Sequence, residues 1–215
     1  MRILSVMKRQ DFLKHADVVF CCLVGVIVAA YQLAHPFWHD EWYTINQFAA
    51  SPWRALTDYH APNNHILFSF VFALYRELLP EGLQYNVFLI RALPFVCYLT
   101  AIVLAVKVFS YIGGRWAGVL AGLLFVTSHA VIGFAVELRG YGPSWIPILL
   151  SLYALLRLRR QDFRWLWLYG VTGIIAVGIL PTNMMAYAAL TLWFISEAVI
   201  EARGVPDRSL WMRLL

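Results

Sequence analysis

Charged residues are scarce in this sequence of 215 residues. Only 13% of them are Asp, Glu, Lys or Arg, whereas 61% are hydrophobic, and the mean hydropathy is +0.68. Soluble domains contain about 25% charged and roughly 45–50% apolar residues. The shortage of charge excludes an ordinary soluble domain and predicts a polytopic membrane protein.

Cysteine is also scarce, with only Cys21, Cys22 and Cys97. All three lie within apolar runs, and an odd number at these spacings gives neither a disulfide framework nor a set of metal ligands. We interpret them as small buried hydrophobes, with palmitoylation of Cys21 or Cys22 as the alternative.

The net charge of +5 raises the question of a nucleic-acid partner. The basic residues are distributed between the apolar runs instead of forming one basic patch, so we predict no nucleic-acid binding. A cytoplasmic membrane face explains their distribution better, and the predicted partner is the lipid bilayer.

Long apolar runs determine the predicted fold. A membrane-spanning helix needs about 17–25 predominantly apolar residues. The segment 66–79 is shorter and carries Arg76 and Glu77, so we interpret it as an interfacial or re-entrant helix. Six runs remain as predicted spans, at 18–35, 86–111, 116–136, 142–157, 165–181 and 183–200.

Basic residues also predict the orientation. With 66–79 outside the membrane and a cytoplasmic amino terminus, 13 of the 17 Lys and Arg residues are cytoplasmic. The other four face outward: Arg54, Arg76, Arg91 and Arg139. If 66–79 crossed, only 7 would be cytoplasmic, so the bias towards basic cytoplasmic loops favours the first arrangement.

The predicted fold class is an all-α membrane protein, a polytopic bundle of about six transmembrane helices with interfacial helices in the first outer loop. The predicted divisions are a cytoplasmic tail at 1–17, an extracytoplasmic loop at 36–85 and a bundle at 86–202. We predict a multi-pass protein of the plasma (inner) membrane with both termini in the cytoplasm.

Three polar clusters lie on the same outer face in this topology. Ionisable residues at membrane depth are expensive and usually functional. The clusters are His39, Asp40 and Glu41; then His60, Asn63, Asn64 and His65; and then Glu137, Arg139 and Tyr141.

These clusters allow several kinds of chemistry. Asp40 and Glu41 suit a base, a metal ligand or a cation partner, but they also suit a solvated loop. Arg139 is either a phosphate clamp or an ion-pair partner of Glu137 or Asp40. His60 and His65 are compatible with a divalent metal ion, but their spacing does not require one; hydrogen bonding to a substrate or neighbour is the other interpretation.

The order of these motifs resembles the amino-terminal module of GT-C membrane glycosyltransferases. A first span leads to an Asp-Glu pair among aromatic residues, then to a His/Pro/Asn stretch, an amphipathic helix, and spans with Glu-x-Arg-x-Tyr at an outer end. The similarity covers roughly residues 10–200 and is closest to the protein mannosyltransferase and aminoarabinose transferase-like group. One departure is Asn63-Asn64-His65, where relatives often carry a basic residue or a proline pair.

The resemblance implies a function and a set of site residues. The donor would be a sugar on a polyprenyl phosphate, transferred with inversion at the anomeric carbon. The resemblance implies Asp40 as the catalytic carboxylate with Glu41 as its usual neighbour. It also places Glu137, Arg139 and Tyr141 at the substrate, and we predict further substrate contacts from His39, His60, Asn64 and His65.

Two other classes of function remain open at this stage. One is a transporter or flippase for a lipid-linked sugar, and the other is a non-catalytic membrane subunit. Apolar residues resume at Leu210, and relatives of this type continue through further spans. We therefore expect a carboxy-terminal partner module, encoded either downstream or separately.

Overall fold

The computed structural model describes residues 2–60, 64–159 and 162–202. Of the residues in those ranges 82% are helical and none lies in a strand, which confirms the predicted all-α membrane protein. The helices are α1 (Arg2–Ala34), α2 (His39–Tyr43), α3 (Pro52–Thr57), α4 (Ile66–Glu77), α5 (Val87–Thr127), α6 (His129–Phe134), α7 (Tyr141–Leu158), α8 (Trp165–Ile179) and α9 (Asn183–Ala202).

Three helical stretches within the described ranges are long and apolar enough to cross a membrane. They are His15–Ala34 in α1, Val87–Thr127 (α5) and Asn183–Ile200 in α9. The α8 helix is equally apolar in character but shorter, with 15 residues. The predicted tail and first span form one continuous helix, because α1 begins at Arg2.

Helix α5 is a helical hairpin, not a single rod. Its backbone leaves helical geometry at Gly113 and at Gly114, where φ is +81°. A positive φ is strained for residues with a side chain, so glycine is the residue that permits this reversal. The rings of Tyr98 and Phe125 then face each other with centroids 6.4 Å apart, which shows that residues 87–112 and 115–127 run antiparallel.

The remaining helices alternate in direction across the same bundle. Helix α1 passes beside Arg115 at its midpoint and ends beside Arg91, as its bonds through Asp17 and Gln32 show. At the far end of α7, Tyr153 packs on Trp165 at the start of α8. We call the end that carries Asp40 the site end and the end that carries Gly114 the turn end.

Helix α4 lies across the site end instead of running through the bundle. Its buried face packs on residues of that end alone: Ile45, Ile90, Leu138 and Ile179. The Tyr75 hydroxyl donates to the Leu89 carbonyl at 2.6 Å. Twelve residues reach only about 18 Å at 1.5 Å per residue, which is short of the roughly 30 Å hydrocarbon core.

The structure corrects one predicted boundary and leaves some predictions aside. The predicted span 116–136 was wrong at its end, because the helix stops at Thr127 and Ser128 adopts an extended ψ of 124°. A short helix, α6, follows the break. The predictions about Asn63, Arg160 and the carboxy-terminal apolar stretch lie outside the described residues.

Candidate functional site

The acidic pair begins the short helix α2. Its first turn contains Asp40 and Glu41, where carboxylates interact favourably with the positive end of a helix. The backbone N–H of Trp38 donates to Glu41 at 2.9 Å, which closes the turn in the manner of a capping box. Successive positions on this turn send the two carboxylates into different surroundings.

Glu41 is fully buried and bound by Arg91. The Arg91 Nε donates to Oε1 at 3.0 Å and Nη2 donates to Oε2 at 2.5 Å. The backbone N–H of Leu138 also donates to Oε1, at 3.3 Å. Since Trp38 donates to Oε2, each carboxylate oxygen accepts two hydrogen bonds.

Arg91 also caps the carboxyl end of α1. Its Nη1 donates to the carbonyl oxygens of Gln32 and His35 at 2.7 and 2.5 Å. A cation suits this position because the last carbonyls of a helix are unpaired and carry partial negative charge. Arg91 therefore fixes α1, α2 and α5 relative to one another.

Asp40 points towards Arg139. The Arg139 Nη1 donates to Oδ2 at 2.7 Å, and the Asp40 side chain is 47% exposed. The guanidinium lies 5.0 Å from the ring centroid of Tyr141, a favourable distance for a cation over an aromatic face. The predicted ion pair of Arg139 is thus present, and it joins the first and third polar clusters.

Glu137 is the perturbed acid of the site. Burial, and after it the nearby charge of Glu41, raises the pKa of the Glu137 carboxyl to about 7. Its Oε2 is buried and has no hydrogen-bond partner among the described residues. Glu137 can therefore hold or release a proton close to neutral pH, next to Asp40 and Arg139.

His65 lies at the start of α4, buried against the same cluster. Neither ring nitrogen makes a hydrogen bond of good geometry within the described chain. Burial, reinforced by the charge of Arg139, lowers the pKa of the imidazole to about 4, although the backbone of Ile179 acts in the opposite direction. The ring meets Tyr141 edge to face with centroids 4.9 Å apart, so a neutral histidine lines the site.

Gly140 allows this close assembly. A Cβ atom at that position would lie 2.8 Å from the Ile179 carbonyl oxygen and 2.9 Å from His65 Nδ1. Only glycine, which has no side chain, lets the segment that carries Arg139 approach α4 and α8 so closely.

The middle polar cluster divides into a buried part and an exposed part. Asn64 is buried, and it donates to the carbonyls of Ala55 and Asp58 and accepts from Ser69. These bonds tie α3 to α4, so the Asn64 amide has no group directed at the solvent-facing site.

His60 forms the exposed part of that cluster. Its Nδ1 hydrogen-bonds Asp58, and Tyr43 donates to its Nε2 at 2.5 Å. The bond from His60 lowers the pKa of the Asp58 carboxyl. His39 is 92% exposed beside Asp40, so the two histidines border the open side of the site.

An apolar groove adjoins the cluster. It has a volume of about 420 Å³ and lies between α4, α5, α7 and α8. Ile179 joins the two, since it lines the groove and its backbone lies against Gly140 and His65 of the cluster. Its walls include Leu67, Val71, Leu93, Pro143, Ile146 and Ile179.

Metal ligands are not grouped in the described part of the chain. No three His, Cys, Asp or Glu side chains there lie close enough together to hold one ion. Asp40 and Glu41 diverge, and His60 and His65 face different neighbours. We derive no step of a reaction through a metal ion.

The most important residue that the sequence did not reveal is Arg91. The sequence places Arg91 only on the predicted outer face, whereas in the structure its guanidinium donates hydrogen bonds to Glu41 and to Gln32 at the end of α1. The available signal was an arginine in the first turns of an apolar span, which requires a partner. Tyr43 and Asp58 were missed as well, because ordinary loop residues gave no reason to link them to His60.

Comparison with models of known families, with curated proteins and with solved structures finds no match.

Proposed function

We propose that this chain is a membrane glycosyltransferase, which moves a sugar from a polyprenyl-phosphate-linked donor to an acceptor on the extracytoplasmic face. The observation that carries the proposal is the Asp40–Arg139 pair beside the apolar groove. A lipid-linked sugar phosphate consists of an isoprenoid chain, a phosphate and a sugar. The site offers an apolar groove, a guanidinium and a partly exposed carboxylate in the same order.

Arg139 would bind the phosphate of the donor. One of its nitrogens contacts Asp40, and its planar group presents five donors in all. As the bond between the anomeric carbon and the phosphate oxygen breaks, the electron pair leaves with the phosphate. A positioned guanidinium stabilises that developing charge, while the isoprenoid chain lies along the groove.

Asp40 would act as the base. The acceptor hydroxyl oxygen forms the new bond to the anomeric carbon, and its proton passes to the Asp40 carboxylate. Half-exposure of Asp40 leaves room for an acceptor that approaches from the aqueous side. His39 and His60 border that side and are the proposed contacts with the acceptor.

Glu41 and Arg91 would act as positioning residues. Glu41 is buried and engaged by four hydrogen bonds, so it holds α2 and thereby aims Asp40. We assign Asn64 a similar role through its ties between α3 and α4. Glu137, His65 and Tyr141 surround the phosphate position, where a neutral imidazole and a protonated carboxyl can donate hydrogen bonds without adding negative charge.

We place the site on the outer face of the plasma membrane with both termini in the cytoplasm. This orientation is supported by the basic residues at the opposite end of the bundle, among them Arg115, Arg157 and Arg164, because cytoplasmic loops are enriched in Lys and Arg.

The experiment compares wild-type membranes with membranes that contain Asp40→Asn, supplied with a radiolabelled polyprenyl-phosphate sugar. The loss of a general base lowers transfer by roughly 10²–10⁴-fold at unchanged expression. Arg139→Lys also lowers transfer, because an ammonium group cannot reproduce the bidentate fork. Glu81→Gln, an exposed substitution at the same end, is the matched control.

Full transfer by Asp40→Asn would overturn the assignment of the base. Wild-type membranes that bind the donor and release it unchanged would favour a flippase, and membranes that do not bind it would favour a non-catalytic subunit.

A further inference from the structure

We infer that a second site, at the turn end of the bundle, binds the headgroup of an anionic phospholipid. This site is separate from the Asp40 cluster, and the inference does not rest on the proposed glycosyl transfer. It comes from a cavity between the middle of α1 and the hairpin of α5.

The cavity has a volume of about 390 Å³ and a mixed lining. Charged and polar side chains line it together with aliphatic ones. The residues that carry the inference are His15, Asp17, Val18, Val106, Lys107 and Arg115.

The charges on the lining do not balance. Arg115 and Asp17 satisfy each other, with Nε to Oδ2 at 2.7 Å and Nη2 to Oδ1 at 2.8 Å. Lys107 is exposed to the cavity, and no carboxylate with a described side chain pairs with it. Among the described side chains, the lining therefore carries one cation without a carboxylate partner, Lys107, with Arg115 beside it.

The depth of the cavity indicates a lipid rather than a dissolved ion. His15 and Asp17 directly precede the apolar run 18–35, so the cavity lies where that run begins. Lys107 belongs to the apolar part of α5, about two turns before Gly114, and its long side chain can reach the interface. Val18 and Val106 extend the wall towards the hydrocarbon, where acyl chains would pack.

The cations of the cavity itself favour the same ligand. Arg157 and Arg159, near the loop between α7 and α8, are paired with Asp162 and Glu197, whereas Lys107 has no carboxylate partner among the described side chains. Basic pockets between transmembrane helices on the cytoplasmic side of a membrane bind anionic lipid headgroups, and each Lys or Arg near the surface contributes about 1 kcal/mol. We therefore expect phosphatidylglycerol to bind in preference to phosphatidylcholine.

The test is native mass spectrometry of the full chain, purified in a neutral detergent and mixed with phosphatidylglycerol or phosphatidylcholine. Wild-type protein retains phosphatidylglycerol preferentially. Lys107→Gln reduces that retention about fivefold, the equivalent of one lost cation, whereas Lys107→Arg restores it. Arg164→Gln, whose side chain is 88% exposed and does not line the cavity, keeps the wild-type preference.

Three results would overturn the inference. The first is equal retention of both lipids by the wild-type protein, which needs no variant. The second is an equal loss in Lys107→Gln and Arg164→Gln, which would indicate attraction by overall charge. The third is displacement of the lipid by millimolar inorganic phosphate, which would indicate a site for a soluble anion.

Discussion

Arg91 and Glu41 lie fifty residues apart in the chain and are joined by two parallel hydrogen bonds, with both side chains shielded from solvent. The pair fixes the first turn after α1 against the start of α5. Asp40 directly precedes Glu41 on that turn, so its position depends on an ion pair in which it takes no part.

We predict that Glu41→Gln strongly destabilises the protein. It leaves the buried Arg91 charge without a counter-charge, and the loss of one partner of a buried pair costs roughly 3–5 kcal/mol. Thermal unfolding in detergent measures the effect, with the exposed Glu81→Gln as the control. A Glu41→Gln protein as stable as that control would contradict the buried arrangement.

The sequence was sufficient to predict the class of the protein and the approximate positions of its apolar segments. Shortage of charge and long apolar runs are properties of composition and need no knowledge of contacts. The meeting of Asp40 with Arg139 agrees with the predicted topology, which puts both residues at ends of spans on one side of the bundle. The functional roles of these residues stay predictions.

Other features could not be predicted, because they depend on packing between distant segments. Nothing near Arg91 in the sequence indicates Glu41 as its partner. The break at Ser128 interrupts an apolar run that has no proline or charge. Likewise, the predicted spans 86–111 and 116–136 leave a short gap, but whether this gap is a loop or a tight reversal depends on how 87–112 packs on 115–127.

Topology gives a second prediction. A reporter inserted near Gly82 will be extracytoplasmic and one near Gln161 cytoplasmic, because the basic residues favour the turn end on the cytoplasmic side. Protease protection of sealed vesicles distinguishes the two. Exposure of both reporters on one side would contradict the alternation of the helices, and exchange of the two would reverse the orientation.

Glu137 gives a prediction for pH. Its pKa is raised to about 7 from an ordinary 4.5, so the folded protein binds more protons than the unfolded chain between these values. Stability from this group is therefore present at about pH 4.5 and is lost as the pH rises through about 7. Relative to Glu137→Gln, the wild-type protein should lose roughly 1–2 kcal/mol over that window, after allowance for solvent screening.

The measurement for Glu137 is a difference between wild type and variant at each pH. His65, with its lowered pKa, acts in the opposite direction, since stability from a neutral buried histidine rises as the pH increases from about 4 to 6.5. The difference cancels this common contribution. A pH-independent difference would show that Glu137 titrates normally.

Close packing at Gly140 gives a fourth prediction. Gly140→Ala should destabilise the protein by about 1–3 kcal/mol through overpacking, because the new methyl group meets the backbone of Ile179. Gly133→Ala is the matched control, since a Cβ there meets nothing within 4 Å. Thermal unfolding of the two variants decides it, and equal midpoints would show that the site end can relax around an added methyl.

The two-glycine reversal in α5 affects how the protein is assembled during synthesis. With no loop between them, residues 87–112 and 115–127 cannot enter the bilayer as independent segments, so the translocation machinery must accommodate both at once. Their contacts are local in sequence, and local contacts form early. The hairpin therefore forms ahead of its more distant contacts with α7, and it offers later helices a finished surface on which to dock.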